Sequence, residues 1–120
     1  MRILLTGSSG QLGSEIARQL SSNHEIIGLH RHPGEWTSLI ASITDRESIF
    51  ALMQGIDAVI HTASLHARHI NEVSKQDFID TNISGTLNLL EAAAQAKVRR
   101  FVYTSTISIN PLARAKTSRS

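Results

Sequence analysis

Gly7, Gly10 and Gly13 recur at three-residue intervals in Thr6-Gly7-Ser8-Ser9-Gly10-Gln11-Leu12-Gly13, between an apolar run and the start of a helical pattern. Glycines so placed answer three steric demands. The first permits a tight turn, the second lets the backbone approach a bound pyrophosphate, and the third lets the helix pack closely on the strand. The free N–H groups at the helix N-terminus then face the anion, and the helix dipole adds about 0.3–1 kcal/mol. Three glycines alone are a weak signal, and an ordinary glycine-rich turn is the alternative reading. At the first β-to-α junction of an alternating chain the signal is strong. No Gly-Lys-Ser/Thr follows, which excludes a P-loop.

The rest of the chain supplies that alternation. Arg2–Thr6 (RILLT) reads as a buried parallel strand. Leu12, Ile16, Ala17 and Leu20 then recur at helical spacing. Glu25–Leu29 (EIIGL) is a second strand, followed by the turn-prone His30-Arg31-His32-Pro33-Gly34. Leu39-Ile40-Ala41 reads as a short third strand, with a missing or degenerate helix before it. Thr44-Asp45-Arg46-Glu47 matches a capping box, which predicts Thr44 as the cap of a helix carrying Ile49, Phe50, Leu52 and Met53 and stopping at Gly55. Asp57–His61 (DAVIH) is a fourth strand and Thr62–Val73 a polar loop. Ser74–Ala96 is the longest periodic segment, capped by Ser74, with Phe78, Ile79, Ile83, Leu87, Leu90 and Ala94 as its apolar stripe. Gly85 inside it costs about 1 kcal/mol relative to Ala. It is either a neutral defect or a point of close approach by another helix or a cofactor. Arg99–Ser105 (RRFVYTS) is the fifth strand. The order β-α-β-β-α-β-α-β with apolar strands implies a parallel sheet covered on both faces.

Composition narrows the class. The 120 residues are 41% hydrophobic and 18% charged, with no cysteine. That fits one globular domain and excludes disulfides, thiolate zinc sites and a Cys nucleophile. No apolar run approaches the roughly 18–20 residues of a membrane span, and the N-terminal run is too short for a signal peptide, so a cytoplasmic protein is expected. The net charge of +2 invites a nucleic-acid reading, but Arg114, Lys116 and Arg119 all lie in the last ten residues. Without them 9 basic residues face 10 acidic ones, so the body is not basic and no nucleic-acid partner is expected. His66 and His69 have i, i+3 spacing, but no carboxylate or third ligand clusters with them, so no metal site is expected.

The TGxxGxxG turn resembles that of the short-chain dehydrogenase/reductase superfamily, and the remaining motifs resemble its extended branch, the NAD-dependent epimerase/dehydratase type. Asp57-Ala58-Val59-Ile60-His61-Thr62-Ala63-Ser64 is similar to that branch's D-x-V-x-H-x-A strand. Asn82-Ile83-Ser84-Gly85-Thr86-Leu87-Asn88-Leu89-Leu90-Glu91-Ala92-Ala93 is similar to its N-x-x-G-T-x-N-L-L-E-A-A helix, and Arg100-Phe101-Val102-Tyr103-Thr104-Ser105-Thr106 to its R-F-V-Y-x-S-S/T strand. The resemblance covers residues 1 to about 108. It implies an α/β fold, a Rossmann-like doubly wound parallel sheet of strand order 3-2-1-4-5, with the cofactor crossing between strands one and four.

By that resemblance Gly7, Ser9, Gly10, Gln11 and Leu12 cradle the pyrophosphate of a nicotinamide dinucleotide. A carboxylate at the end of strand two would bind the ribose 2′-OH of NAD, whereas Arg accommodates the 2′-phosphate of NADP. His30-Arg31-His32 holds no acid, so Arg31 points to NADP over NAD. The family's Asp near the adenine corresponds to Ser42, followed by Ile43. Thr62, Ala63, Ser64, Thr104 and Ser105 line the cofactor's path. Asn82 supports the proton relay, and Thr106 corresponds to the Ser/Thr that hydrogen-bonds the substrate carbonyl or hydroxyl.

The family's Tyr-x-x-x-Lys pair, its general acid/base and the residue that lowers its pKa, has no counterpart. The only tyrosine is Tyr103, with Ile107 four residues on. Residues 109–120 form a basic tail unlike the family. The chain therefore reads as the N-terminal NAD(P)-binding portion, residues 1–108, of an oxidoreductase, epimerase or dehydratase cut after strand five. Alternatives are a non-catalytic NAD(P)-binding sensor or a non-functional remnant. A small-molecule substrate is expected only in a full-length parent, catalysis by these 120 residues alone is not, and a homodimer through helix 74–96 or through an open strand-five edge is.

Overall fold

The computed structural model describes residues 1–62 and 75–104. Its elements are β1 (Arg2–Thr6), α1 (Gln11–Leu20), β2 (Glu25–His30), β3 (Leu39–Ile40), α2 (Arg46–Leu52), β4 (Ala58–Thr62), α3 (Lys75–Gln95) and β5 (Arg100–Thr104). All strand pairs are parallel and the order is β3-β2-β1-β4-β5, as the sequence predicts. No helix forms between β2 and β3. Chain order steps one way from β1 to β2 and the other way from β3 to β4. Right-handed crossovers then put α1 on one face and α2 with α3 on the other.

The alternation of β1 serves both faces. Leu4 joins Leu29, Ile49, Met53, Val59 and Leu89 in the cluster beneath α2 and α3, while Ile3 and Leu5 are buried outside that cluster. Because the strands are parallel and in register, their carboxyl ends share one edge. Thr6 lies opposite Leu29 and His61, His30 opposite Ile40, and Thr62 opposite Thr104.

Two local expectations are corrected. The cap of α2 is Asp45, not Thr44: the Asp45 carboxylate accepts from the Ser48 N–H at 3.4 Å and from the Ser48 hydroxyl at 2.8 Å. Thr44 is held elsewhere, its hydroxyl 2.7 Å from that of Ser42, so the adjacent carboxylate takes the orphan Ser48 N–H. The second correction concerns α3. Ile83, Leu87 and Leu90 are about half exposed and Ala94 is exposed. The face on the sheet is instead Gly85, Leu89, Ala92 and Ala93. Small residues let the helix axis lie close to the strands, and the bulky ones are left pointing away. Phe78, Ile79 and the predicted cap Ser74 lie outside the described side chains.

Candidate functional site at the carboxyl edge

The edge is built around the glycine turn. Gly7 has φ +73, and a Cβ there would overlap the Thr62 carbonyl of β4. Its N–H donates to the Leu29 carbonyl at 2.8 Å, and the Gly10 N–H closes the turn onto the Gly7 carbonyl at 3.0 Å. A Cβ at Gly13 would overlap that same Gly7 carbonyl, so the first turn of α1 is packed directly on the loop. Gly10 is the N-cap of α1. It provides no side-chain cap, and the first turn holds no acidic residue. The N–H groups of that turn are therefore available to an anion with no carboxylate competing for their positive end. Gln11 and Leu12 are exposed beside them.

A polar brace sets the turn's height. The Thr62 hydroxyl donates to the Thr6 carbonyl at 2.6 Å, and the Thr62 N–H donates to Thr6 Oγ1 at 3.0 Å. Thr6 Oγ1 lies 2.6 Å from His61 Nδ1, and His61 Nε2 lies 3.0 Å from Thr86 Oγ1 on α3. His61 is fully buried, with the Tyr103 ring edge-on at 5.0 Å. Burial pushes its pKa down to about 4, so the ring is neutral at pH 7. The arrangement that uses every polar atom has Thr6 donating to Nδ1 and Nε2–H donating to Thr86. The strand motif marks His61 in the sequence, but nothing there pairs it with Thr6 or Thr86.

The segment after β2 folds back onto the turn. Ser9 Oγ donates to the His32 carbonyl at 2.8 Å, and the Thr37 hydroxyl is 2.6 Å from those of Ser8 and Ser9. The His32 N–H donates to His30 Nδ1 at 3.1 Å. Burial lowers the His30 pKa, and the charges of His32 and Arg31 push it the same way. Arg31 is exposed, and among the described residues no carboxylate pairs with it.

The other candidates divide. Ser42 is half-buried at the end of β3, bonded to Thr44. The Ile43 side chain turns inward beneath α3, and its carbonyl accepts from Asn88 Nδ2 at 3.0 Å. Gly85 is a point of close approach, but to this side chain: a Cβ there would overlap Ile43 Cδ1 and Cγ1. The Thr104 hydroxyl, half-buried, lies 3.5 Å from the His61 carbonyl. Asn82 is half-buried on α3, one turn before Thr86. Ala63, Ser64, His66, His69, Ser105 and Thr106 lie outside the described residues. Among the described residues no three metal-ligating side chains gather.

A glycine turn feeding an uncapped helix at the carboxyl edge of a 3-2-1-4-5 parallel sheet defines a Rossmann-like α/β protein. More narrowly, the chain belongs to the NAD dependent epimerase/dehydratase family, whose sequence model matches residues 3–119. It is 40% identical over 111 residues to an uncharacterized protein of Mycobacterium tuberculosis, which covers 88% of this chain and 12% of that one. It is 33% identical over 119 residues to the 3-beta-hydroxysteroid dehydrogenase of Mycolicibacterium neoaurum, covering 90% of this chain and 32% of the relative. A solved UDP-glucose-4-epimerase from Stenotrophomonas maltophila, with bound NAD and formylated UDP-arabinopyranose, superposes with a TM-score of 0.73 at 30% identity. That match covers 88% of this chain and 37% of the epimerase, so the chain spans about a third or less of the length of these relatives.

Proposed function

We propose that this chain is the NAD(P)-binding portion of an oxidoreductase, epimerase or dehydratase of the extended short-chain dehydrogenase type, with NADP preferred to NAD. The observation that carries the reading is the glycine turn, pressed against β4 at Gly7 and opening onto a helix start with no side-chain cap and no acid. In this reading Gly7, Ser9, Gly10, Gln11 and Leu12 hold the pyrophosphate. The Ser42 and Ile43 backbone borders the adenine, and Thr62, Ala63, Ser64, Thr104 and Ser105 line the way to the nicotinamide. The bound cofactor supplies hydride exchange with a substrate carbon. Asn82 and Thr106 act on the substrate side, as support for proton movement and as a hydroxyl donor to a substrate oxygen.

The parent substrate is a hydroxy or keto compound of the sugar-nucleotide or sterol-like class, in keeping with the named relatives. The 120 residues contain no Tyr-x-x-x-Lys pair, so purified chain is expected to bind the cofactor without turning it over. The NADP preference rests on Arg31 at the end of β2, with no acid at positions 30 to 32. Arg31→Ala is expected to weaken NADP by about tenfold, the scale of one charged hydrogen bond, and to leave NAD nearly unchanged. Equal weakening of both would remove Arg31 from the ribose site.

A further inference from the structure

Three hydroxyls meet where the segment after β2 crosses the glycine turn. Thr37 Oγ1 is 2.6 Å from Ser8 Oγ and 2.6 Å from Ser9 Oγ. Ser9 Oγ is 2.8 Å from the His32 carbonyl, which can only accept. A hydroxyl has one hydrogen to give. That of Ser9 goes to His32, so Thr37 donates to Ser9 and Ser8 donates to Thr37. The result is a one-way chain from Ser8 through Thr37 and Ser9 to the His32 carbonyl, in which each bond polarises the next. Its first member is buried, with Ser8 1% exposed. Its last lies on the residue next to Arg31.

The segment has its own local ties. The Thr37 N–H donates to the Gly34 carbonyl at 3.1 Å, and the Ser38 N–H to the Gly28 carbonyl at 2.9 Å. Neither reaches the glycine turn; the hydroxyl chain does. The turn's own closing bonds, from the Gly7 and Gly10 N–H groups, do not involve Thr37. Removing the Thr37 hydroxyl therefore takes from Ser9 the donor that orients and polarises its hydroxyl, which loosens the bond from Ser9 to the His32 carbonyl, and leaves the turn's backbone closure in place.

We propose that Thr37 is a positioning residue for recognition of a phosphate on the adenosine ribose 2′-oxygen, holding the backbone that carries Arg31 against the glycine turn. This rests on the dinucleotide reading above. The test is calorimetric titration of the whole chain with NADP and with NAD, which differ only in that phosphate. Thr37→Val keeps the shape and removes the hydroxyl. It is expected to weaken NADP about fivefold while NAD stays within about twofold, and Thr37→Ser is expected to restore the original ratio. If the Val variant does not melt cooperatively, Thr37→Ala carries the same expectation. An unchanged NADP/NAD ratio in the hydroxyl-free variant, whether both affinities fall or neither does, overturns this role alone. A folded unmodified chain that binds neither nucleotide overturns the dinucleotide reading and this inference together.

Discussion

At Gly7 two constraints coincide: a left-handed backbone, with φ +73, and a β4 carbonyl occupying the space of a side chain. Ala there pays the left-handed penalty of about 1–2 kcal/mol and must also push Thr62 away from β1. Gly7→Ala is expected to lower the melting temperature and to abolish nucleotide binding, read by a thermal melt and a titration. His61 sets a different demand. Its ring stays neutral in the fold down to about pH 4, whereas in the unfolded chain it charges near pH 6.5. Between those values the unfolded state holds the extra proton, so stability falls as pH drops through that window, by on the order of 3 kcal/mol in all. The lowered pKa of His30 acts in the same direction. Denaturant titrations at pH 7 and pH 4.5 should show the loss. His61→Leu should be less stable at pH 7 by about 1–3 kcal/mol, with the bonds to Thr6 and Thr86 both lost, yet show a shallower pH dependence. A variant with the same pH slope as the original would remove His61 as its source.

On α3 the sequence marks a helix but not its orientation. It has large apolar residues on one side and Gly85, Leu89, Ala92 and Ala93 on another, and periodicity favours the larger side chains. The sheet takes the smaller ones, because a close helix–strand approach needs little side-chain volume. At Gly85 the helix is pressed against Ile43, whose side chain occupies the space of a Cβ. Helix propensity alone predicts that Gly85→Ala gains about 1 kcal/mol. The overlap with a buried side chain predicts a net loss of about 1–2 kcal/mol instead. In an Ile43→Ala background the same change should become neutral or stabilising, and a double-mutant cycle by chemical denaturation reads the difference. Strands β1 and β4 were legible because both are short apolar runs bounded by turn or polar residues. The cap of α2 was legible only to within one residue, since Thr44 and Asp45 are both good caps and the Ser42 contact decides between them. The glycine cradle could be read locally because the Gly spacing lies within one turn. Thr37, Ser8 and the Thr6–His61–Thr86 brace could not, since their partners lie 25 to 55 residues away.

Over the whole molecule, the parallel sheet turns five strand ends into one working edge, with the turn after β1 at its centre between β2 and β4. Opposite requirements govern the far side of α3, where Ile83, Leu87 and Leu90 form an exposed apolar stripe at i, i+4, i+7, and Val102 and Tyr103 are exposed on β5. We propose that the α3 stripe self-associates. Sedimentation at a concentration on the order of tens of micromolar should show species heavier than the 13.1 kDa chain, and Leu87→Lys should return them to monomer. A monomer throughout would contradict the proposal. Among the described residues no helix is long and apolar enough to cross a membrane. We propose that the glycine turn and the uncapped start of α1 hold a nicotinamide dinucleotide. The most direct test is isothermal calorimetry of the folded 120-residue chain with NADP and NAD. Saturable one-site binding is expected, tighter for NADP and lost in Gly7→Ala. A folded chain that takes up neither nucleotide would contradict it.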